Sequence, residues 1–394
     1  MKNIYSEIGF RLLGDIIYSN TLIDNARTLF TEFPARNIAI RPIIVEQAMI
    51  EESFAISTAE DSDLTLQDTK KIIISPEIEA RLTKYRNNIN MTSKEKYDLL
   101  ESENVKFVEE KIKGIKFDEL TIQMLTDLHY DLTVGLDEYC KDIGVSRYHP
   151  GEFRRSNDTK VGKIRQYTPP AHTQIQHLLE LLISEFHGRK AIHLTDILEF
   201  HILLYAIHPF SNGNKRVVRV LESMLLREYG YSADRVLSMA KYYGEKKSAM
   251  NFFLMESLNQ RDPTPFVNFA IRGYFYSGMA LENKIIKTCL HSYLNIIIQL
   301  LPGYLSKEKK AAFRAAANAI AELNGIFTHG QFIESMEKKK YTLGVSQEIL
   351  KYLKNTKDIL HKNNLYYVPG APDMAKHREN LLKFYLQNQI MIEE

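Results

Sequence analysis

Only two cysteines, Cys140 and Cys289, occur among the 394 residues of this chain, and they lie far apart. Two such residues exclude a disulfide framework and a Cys-x-x-Cys metal site, and they predict two reduced thiols. Every apolar run is too short or too charged to span a bilayer, so no membrane partner is expected. The opening residues, MKNIYSEIGF, lack the apolar stretch of a signal peptide, which predicts a cytoplasmic protein.

Long amphipathic patterns dominate the sequence and strand-like alternation is scarce, so the predicted fold class is mainly α. One helix is expected from Pro42 through VEQAMIEESFAIS, and others over LTDILEFHILLYAI and KRVVRVLESMLLREY. Between Gly151 and Pro170 the pattern changes to short strands with turn residues. This change predicts a β-hairpin inserted into a helical domain.

The last hundred residues have a different pattern. Three helices are predicted, beginning near Ser306 and over residues 328–336 and 346–354, and ILHKNNLYYVP then alternates around Asn363-Asn364. An Asn-Asn pair suits a type I′ hairpin turn, which requires positive φ at both central residues. Three helices followed by a hairpin is the order of a winged helix-turn-helix.

The segment His208-Pro209-Phe210-Ser211-Asn212-Gly213-Asn214 is predicted to join a buried helix to one that begins near Lys215. Gly213 and Asn214 tolerate positive φ, and the next helix presents unpaired N–H groups that attract anions. The basic residues Lys215, Arg216 and Arg219 oppose the helix dipole unless an anion such as a polyphosphate is bound. His208 stands at the mouth, where a group with a near-neutral pKa can accept a hydroxyl proton. The spacing is not that of a Walker A loop, and the competing interpretation is a polar connection with an incidental His.

The string HPFSNGNKR resembles the Fic family motif HPFx[D/E]GN[G/K]R at every fixed position but one. Upstream, GEFRRSNDTKVGKIRQYTPP is similar to the family's FR…V…PP flap, and downstream NQRDPTPFVNFA is similar to the segment after its nucleotide site. The resemblance covers about residues 118–280 and implies a helical Fic core with a short β-hairpin flap. It also implies a protein adenylyltransferase, which uses ATP and Mg²⁺ to place AMP on a Ser, Thr or Tyr hydroxyl of a protein substrate.

The resemblance implies a role for each matching position. His208 would be the general base, and Asn212 would occupy the position of the metal ligand. The residues implied in nucleotide binding are Phe210, Ser211, Gly213, Asn214, Lys215, Arg216, Arg219, Phe252 and Asn259. Those implied in holding the target along the flap are Lys160, Val161, Gly162 and Lys163.

Asn212 departs from the family, which has Asp or Glu at the Mg²⁺ ligand. An amide oxygen is a neutral and weaker ligand for a hard cation. Three interpretations stay open: a slow transferase that binds Mg²⁺ through the amide, an enzyme suited to removing AMP or to another nucleotide, and a domain that binds nucleotide without turnover.

The stretch ISTAEDSDLTL is similar to an inhibitory motif, [S/T]xxxE[G/N], that precedes some Fic cores, although Ile56 and Asp61 depart from it. The resemblance implies that Glu60 pairs with Arg219 and blocks seating of the γ-phosphate. In some relatives the equivalent Glu also orients the water that removes AMP. The alternative is that Glu60 is a solvated acid in a charged loop.

Basic charge is concentrated near the C-terminus, where residues 306–363 hold eleven Lys or Arg and six Asp or Glu. On a winged helix, lysines of the third helix would meet DNA phosphates, and polar neighbours would reach base edges. The candidate DNA contacts are Lys338, Lys339, Lys340, Ser346, Gln347, Lys351, Lys354 and Lys362. The alternative is the solvated face of a protein-interaction module.

These features together predict four regions: an N-terminal helical region with the inhibitory helix (1–117), a Fic core (118–280), a linking helix (281–305) and a winged helix-turn-helix (306–394). The favoured function is AMP transfer, with AMP removal by the same site as an extension, coupled to binding of duplex DNA. The alternative is a nucleotide-sensing DNA-binding regulator. The sequence leaves open a homodimer and secretion into a host cell.

Overall fold

The structure, a computed structural model, describes residues 3–36, 41–59, 62–162, 166–232 and 236–391, with the backbone alone for residues 32–36. Two predicted site residues, Glu60 and Lys163, lie outside the described residues. No helix in the described part of the chain is both long enough and apolar enough to cross a membrane.

The described residues form eighteen α-helices, three 3₁₀ turns and three strands. Up to the predicted loop these are α1 (Ile4–Ile8), α2 (Asn20–Arg36), α3 (Arg41–Ser57), α4 (Leu66–Lys71), α5 (Ile78–Arg86), α6 (Ser93–Lys111), two 3₁₀ turns (Ile112–Gly114 and Phe117–Glu119), α7 (Ile122–Thr133), α8 (Asp137–Ile143), a third 3₁₀ turn (His172–Gln174), α9 (Ile175–His187) and α10 (Leu194–Ile207). After the loop come α11 (Asn214–Glu228), α12 (Met239–Glu245), α13 (Lys247–Gln260), α14 (Thr264–Gln299), α15 (Lys307–Glu322), β1 (Ile326–Thr328), α16 (His329–Lys338), α17 (Leu343–Asn355), β2 (Leu360–Lys362), β3 (Leu365–Tyr367) and α18 (Ala371–Gln387).

Contacts between Cα atoms divide the chain into two compact units. The first unit combines residues 1–31 with 45–277, and the second combines residues 32–44 with 278–394. The division falls within α2, α3 and α14. The predicted divisions after residues 117, 280 and 305 stay predictions.

The core of the first unit is built around α10, which is buried at every residue except Asp196 and in which ten of the fourteen residues are apolar. It packs against α9 on one side and α11 on the other. Helix α11 buries Val217, Val220 and Leu221 along with its polar first turn. Because a short loop joins α10 to α11, the C-terminus of one and the N-terminus of the other meet at the same end of the core.

The second unit contains α15 to α18, the C-terminal part of α14 and a small antiparallel sheet with strand order β1-β3-β2. Lys362 pairs with Leu365 across a two-residue turn. Both turn residues, Asn363 and Asn364, have positive φ, at 52° and 61°. The local prediction of a type I′ hairpin is therefore confirmed. The structure adds β1, which the sequence pattern did not indicate.

The predicted mainly α fold class is confirmed, and the described part of the flap contains antiparallel pairing. A single antiparallel bridge joins Val161 to Tyr167, with hydrogen bonds of 3.0 and 2.9 Å. Residues 163–165, between the two, lie outside the described residues. The phenol of Tyr167 donates to the Ala206 carbonyl at 3.2 Å, so the flap is anchored to the end of α10.

Candidate active site

The loop from His208 to Asn214 is closed by its own hydrogen bonds. His208 ends α10 in the left-handed conformation, with φ 50° and ψ 61°, and Gly213 precedes α11 with φ 78°. The Asn214 side chain accepts from the Phe210 N–H at 3.0 Å and donates to the Phe210 carbonyl at 2.8 Å. The Asn214 side chain therefore fixes the shape of the loop, while the first turn of α11 presents its N–H groups.

The imidazole of His129, on α7, lies beneath the loop. Its ring stacks on Phe210, with centroids 3.8 Å apart and planes 4° from parallel. Its Nε2 lies 3.1 Å from the Asn212 carbonyl, and its Nδ1 accepts from the Gly151 N–H at 3.0 Å. These partners select the neutral tautomer protonated on Nε2. The sequence analysis did not identify His129 as a site residue, because nothing in the pattern of α7 distinguishes it from a core histidine.

His208 is nearly buried, and burial lowers its pKa to about 3. The nearby cations Arg154 and Lys215 act in the same direction, and the Tyr205 carbonyl opposes them. The imidazole is therefore neutral at neutral pH, which is the protonation state that a general base requires. A bound polyphosphate would raise this pKa because its negative charge favours the imidazolium form.

Arg154 connects the flap to the loop that begins at His208. Its Nε donates to the His208 carbonyl at 2.8 Å, its Nη1 donates to the Ser156 carbonyl at 2.9 Å, and its Nη2 donates to the Pro170 carbonyl. Its backbone N–H donates to the Pro209 carbonyl at 2.9 Å. One buried guanidinium thus ties both ends of the flap to the residue that would act as base. In the sequence, Arg154 belongs to the Phe-Arg pair of the flap motif, but the motif did not indicate its hydrogen-bond partners.

Arg216, for which the resemblance implies a role in nucleotide binding, lies in the interior of the first unit. Its guanidinium is completely buried and pairs with Glu101, on α6, at 2.9 Å between Nη1 and Oε1. It also donates to the Tyr148 hydroxyl. The physical reason is desolvation, since a buried cation needs a charged partner and Glu101 provides one.

Arg219, one turn further along α11, contacts the C-terminal part of α3. Its Nη1 donates to the Ala55 carbonyl at 2.9 Å, and its guanidinium lies 5.7 Å from the Tyr243 ring centroid. The neighbouring Ser223 hydroxyl donates to Glu52, also on α3, at 2.7 Å. These two hydrogen bonds hold α3, the predicted inhibitory helix, against α11.

Lys215 and Ser211 complete the mouth of the loop. The Lys215 ammonium donates to Asn251, on α13, at 3.3 Å. The Ser211 hydroxyl oxygen is buried and makes no hydrogen bond within the described part of the chain. Phe252 and Asn259 lie on the same helix as Asn251, and both are exposed, Phe252 by 57%. The roles implied for Phe252 and Asn259 in nucleotide binding stay predictions.

The described residues of the site provide few ligands for a metal ion. The Asn212 amide oxygen accepts from the Gly213 N–H at 2.9 Å, and its amide nitrogen lies 3.4 Å from the Ser146 carbonyl. No cluster of three or more His, Cys, Asp or Glu residues suited to a metal occurs among the residues that the structure describes. The loop N–H groups and the buried Ser211 hydroxyl fit a polyphosphate, whereas Asn212 offers a Mg²⁺ ion a neutral amide oxygen in place of a carboxylate.

The flap residues that can be described are placed along the bridge. Val161 is buried within it, and Gly162 has φ 91°. The Lys160 ammonium donates to the Thr168 hydroxyl at 2.7 Å. Main-chain binding of an extended target along the flap stays a prediction.

Most candidate DNA contacts lie on the surface of the second unit. Lys338 and Lys339 pair with Glu334 and Glu322, at 2.9 and 2.7 Å. The remaining exposed candidates are Lys340, Gln347, Lys351, Lys354 and Lys362. Ser346 is wrong as a base contact, since it is completely buried and its hydroxyl donates to the Thr342 carbonyl at 2.9 Å.

Comparison with known proteins places this site in context. The model of the Fic/DOC family matches residues 119–226. A probable protein adenylyltransferase of Aquifex aeolicus (strain VF5) is 22% identical over 172 residues, which are 43% of this chain and 53% of that protein. The chain thus spans about half the length of this curated relative. A Fic family protein from Desulfovibrio desulfuricans G20 has a similar fold, with a TM-score of 0.52 at 16% identity over 90% of this chain and 98% of that one.

Proposed function

We propose that this chain, in which residues 119–226 form a Fic/DOC domain, transfers AMP from ATP to a hydroxyl group of a protein substrate. The observation that carries the proposal is the placement of a neutral, nearly buried His208 at the mouth of a loop whose next helix presents its N-terminus. A base and an anion site side by side are the two elements that phosphoryl transfer requires.

The reaction is an in-line displacement at the α-phosphorus of ATP. The substrate hydroxyl oxygen forms a bond to that phosphorus, and the bond to the bridging oxygen of the β-phosphate breaks. Pyrophosphate leaves with the bonding electrons, and the hydroxyl proton passes to the His208 imidazole. The loop N–H groups, Ser211 and Lys215 bind the phosphates, whereas Arg216 serves to hold α11 against α6. The main-chain groups of the flap align the substrate segment.

Mg²⁺, when bound with ATP, would neutralise phosphate charge, and the resemblance gives Asn212 the position of its protein ligand. Because the Asn212 amide oxygen is neutral, it would bind Mg²⁺ more weakly than a carboxylate, and we expect AMP transfer to be slow. Substituting Asn212→Asp restores a carboxylate, so it should lower the Mg²⁺ concentration that gives half-maximal AMP transfer. An unchanged or raised Mg²⁺ requirement would argue that Asn212 lies away from the ion.

The experiment that tests AMP transfer incubates the protein and candidate substrates with labelled ATP and Mg²⁺. Label should transfer with the wild type and should fall by at least about 10²-fold in His208→Ala, the scale of a lost general base. His177→Ala, an exposed histidine on α9, is the matched control and should keep full activity. Equal transfer by wild type and His208→Ala would contradict the proposal.

Autoinhibition by Glu60 extends the proposal. The contact between Arg219 and the C-terminal part of α3 supports it, because Glu60 follows α3 by three residues. Glu60→Gly should raise AMP transfer several-fold, and removal of AMP from a modified substrate should be lost if Glu60 orients the hydrolytic water. Glu46→Gly, a position earlier on α3, is a control for changes in the helix itself.

The second candidate function is a nucleotide-sensing DNA-binding regulator, favoured by the burial of Arg216 and the exposed lysines of α17. DNA binding is tested by measuring duplex affinity against salt concentration. Replacing Lys351 and Lys354 with Ala should weaken binding and lower the salt slope by about two, whereas the pair Lys376→Ala and Lys383→Ala on α18 should not. Nucleotide binding with no AMP transfer by any variant would favour this regulator.

A further inference from the structure

One peptide group of the loop, between Asn212 and Gly213, has an orientation that depends on a side chain from another helix. In a trans peptide the carbonyl and the following N–H point in opposite directions. The Asn212 carbonyl faces α7 and lies 3.1 Å from the His129 Nε2. The Gly213 N–H consequently points away from α7, toward the side of the loop where its present partner is the Asn212 side chain.

We infer that His129 is a positioning residue that sets the orientation of the Asn212–Gly213 peptide, so that the Gly213 N–H faces the bound phosphates. The inference rests on the proposed nucleotide site. The Asn212 amide oxygen, 2.9 Å from that N–H, occupies the place of a phosphate oxygen and would give way to one.

The orientation needs to be held because Gly213 can adopt several backbone conformations. Its φ of 78° lies where glycine is favoured, and glycine visits both signs of φ readily. Rotation of this one peptide would exchange the N–H for a carbonyl, and a carbonyl oxygen would repel a phosphate. A hydrogen bond from outside the loop removes that alternative, since it exists in only one of the two orientations.

His129 is itself held on several sides, so its position is well determined. Its Nδ1 accepts from the Gly151 N–H at the start of the flap, and its ring is stacked on Phe210. Its own carbonyl accepts from the Thr133 hydroxyl at 2.6 Å. A Cβ atom at Gly213 would lie 3.3 Å from the His129 Nε2, so the ring also sets how closely the loop approaches α7.

Two substitutions separate the hydrogen bond from the packing. His129→Phe keeps an aromatic ring to stack on Phe210 and removes both hydrogen bonds. His129→Gln keeps one N–H donor and one oxygen acceptor and removes the stack. We expect His129→Phe to lower ATP affinity, measured by calorimetry, by about tenfold or more, which corresponds to one lost hydrogen bond to a charged group. His129→Gln should recover part of that loss even if its thermal stability is lower.

The pattern across readouts distinguishes positioning from a general loss of fold. His129→Phe should raise KM for ATP more than it lowers kcat, and hydrogen exchange should become faster at Gly151 and Gly213 while α10 keeps its protection. Wild-type ATP affinity in His129→Phe, or equal losses in both variants in proportion to their stability, would overturn the inference.

Hydrogen exchange also separates this inference from the proposed function. If the wild type bound no ATP, the proposed function would fail. Faster exchange confined to Gly151 and Gly213 in His129→Phe would still support the positioning role, and unchanged exchange there would refute it.

Discussion

The buried ion pair between Arg216 and Glu101 makes a sharp prediction about stability. The Arg216 guanidinium is completely buried, and its Nη1 lies 2.9 Å from the Glu101 carboxylate. At an effective dielectric constant of about 20, this distance corresponds to a gross attraction of ~6 kcal/mol, much of which offsets the desolvation of the two charges. Removing Glu101 alone leaves the desolvation of Arg216 uncompensated. Glu101→Ala should therefore lower the free energy of unfolding of the first unit by about 3–5 kcal/mol.

The assay is urea denaturation followed by circular dichroism, with amide hydrogen exchange to identify which unit unfolds. Glu110→Ala is the matched control, since Glu110 lies on the same helix and forms an exposed pair with Lys113 at 2.5 Å. That control should cost at most about 1 kcal/mol. Replacing both buried partners, as Glu101→Leu with Arg216→Met, should recover much of the loss because no charge is left unpaired. If Glu101→Ala were no more destabilising than Glu110→Ala, the buried-pair reasoning would be refuted.

Three further predictions concern the site and the hairpin. Burial lowers the pKa of His129 and His208 to about 3, whereas an unfolded His binds a proton near pH 6.5. The first unit should therefore lose stability as the pH falls from about 6.5 toward 3, by up to about 1.4 kcal/mol per pH unit for each His. The urea midpoint measured against pH should show this slope, and His129→Gln should flatten it. Arg154→Met leaves the His208 and Pro170 carbonyls without their side-chain donor. Flap residues 151–162 should then exchange amide hydrogens faster, and AMP transfer should fall at least tenfold. Unchanged exchange would contradict the role of Arg154 in anchoring the flap. In the second unit, Asn364→Gly should be neutral or slightly stabilising and Asn363→Val should cost about 1 kcal/mol or more, measured by thermal denaturation, because both positions have positive φ.

Features that depend on neighbouring residues could be predicted from the sequence. The apolar run of α10, the loop that follows it and the Asn363-Asn364 turn lie where their local patterns indicate. Glycine and asparagine at positive φ, and apolar side chains over a whole helix, act over a few residues. Such signals therefore survive without knowledge of the rest of the fold.

Features that depend on distant partners could not be predicted. Arg216 and Arg219 lie one turn apart on α11 and look equivalent in the sequence, yet one pairs with α6 and the other contacts α3. Ser346 belongs to a helix with an exposed polar face but lies on the buried side of it. His129 and Arg154 bind loop carbonyls that are 83 and 54 positions away.

The sequence by itself determined a mainly helical chain, the position of the loop between α10 and α11, the candidate base His208 and the basic character of the C-terminal region. Only the tertiary structure decided which partners Arg216 and Arg219 meet, which helix contacts the Asn212 carbonyl and how the flap is held to His208. The physical reason is that backbone preference is local, whereas the protonation state and the pairing of a buried polar group depend on every group that folding brings beside it.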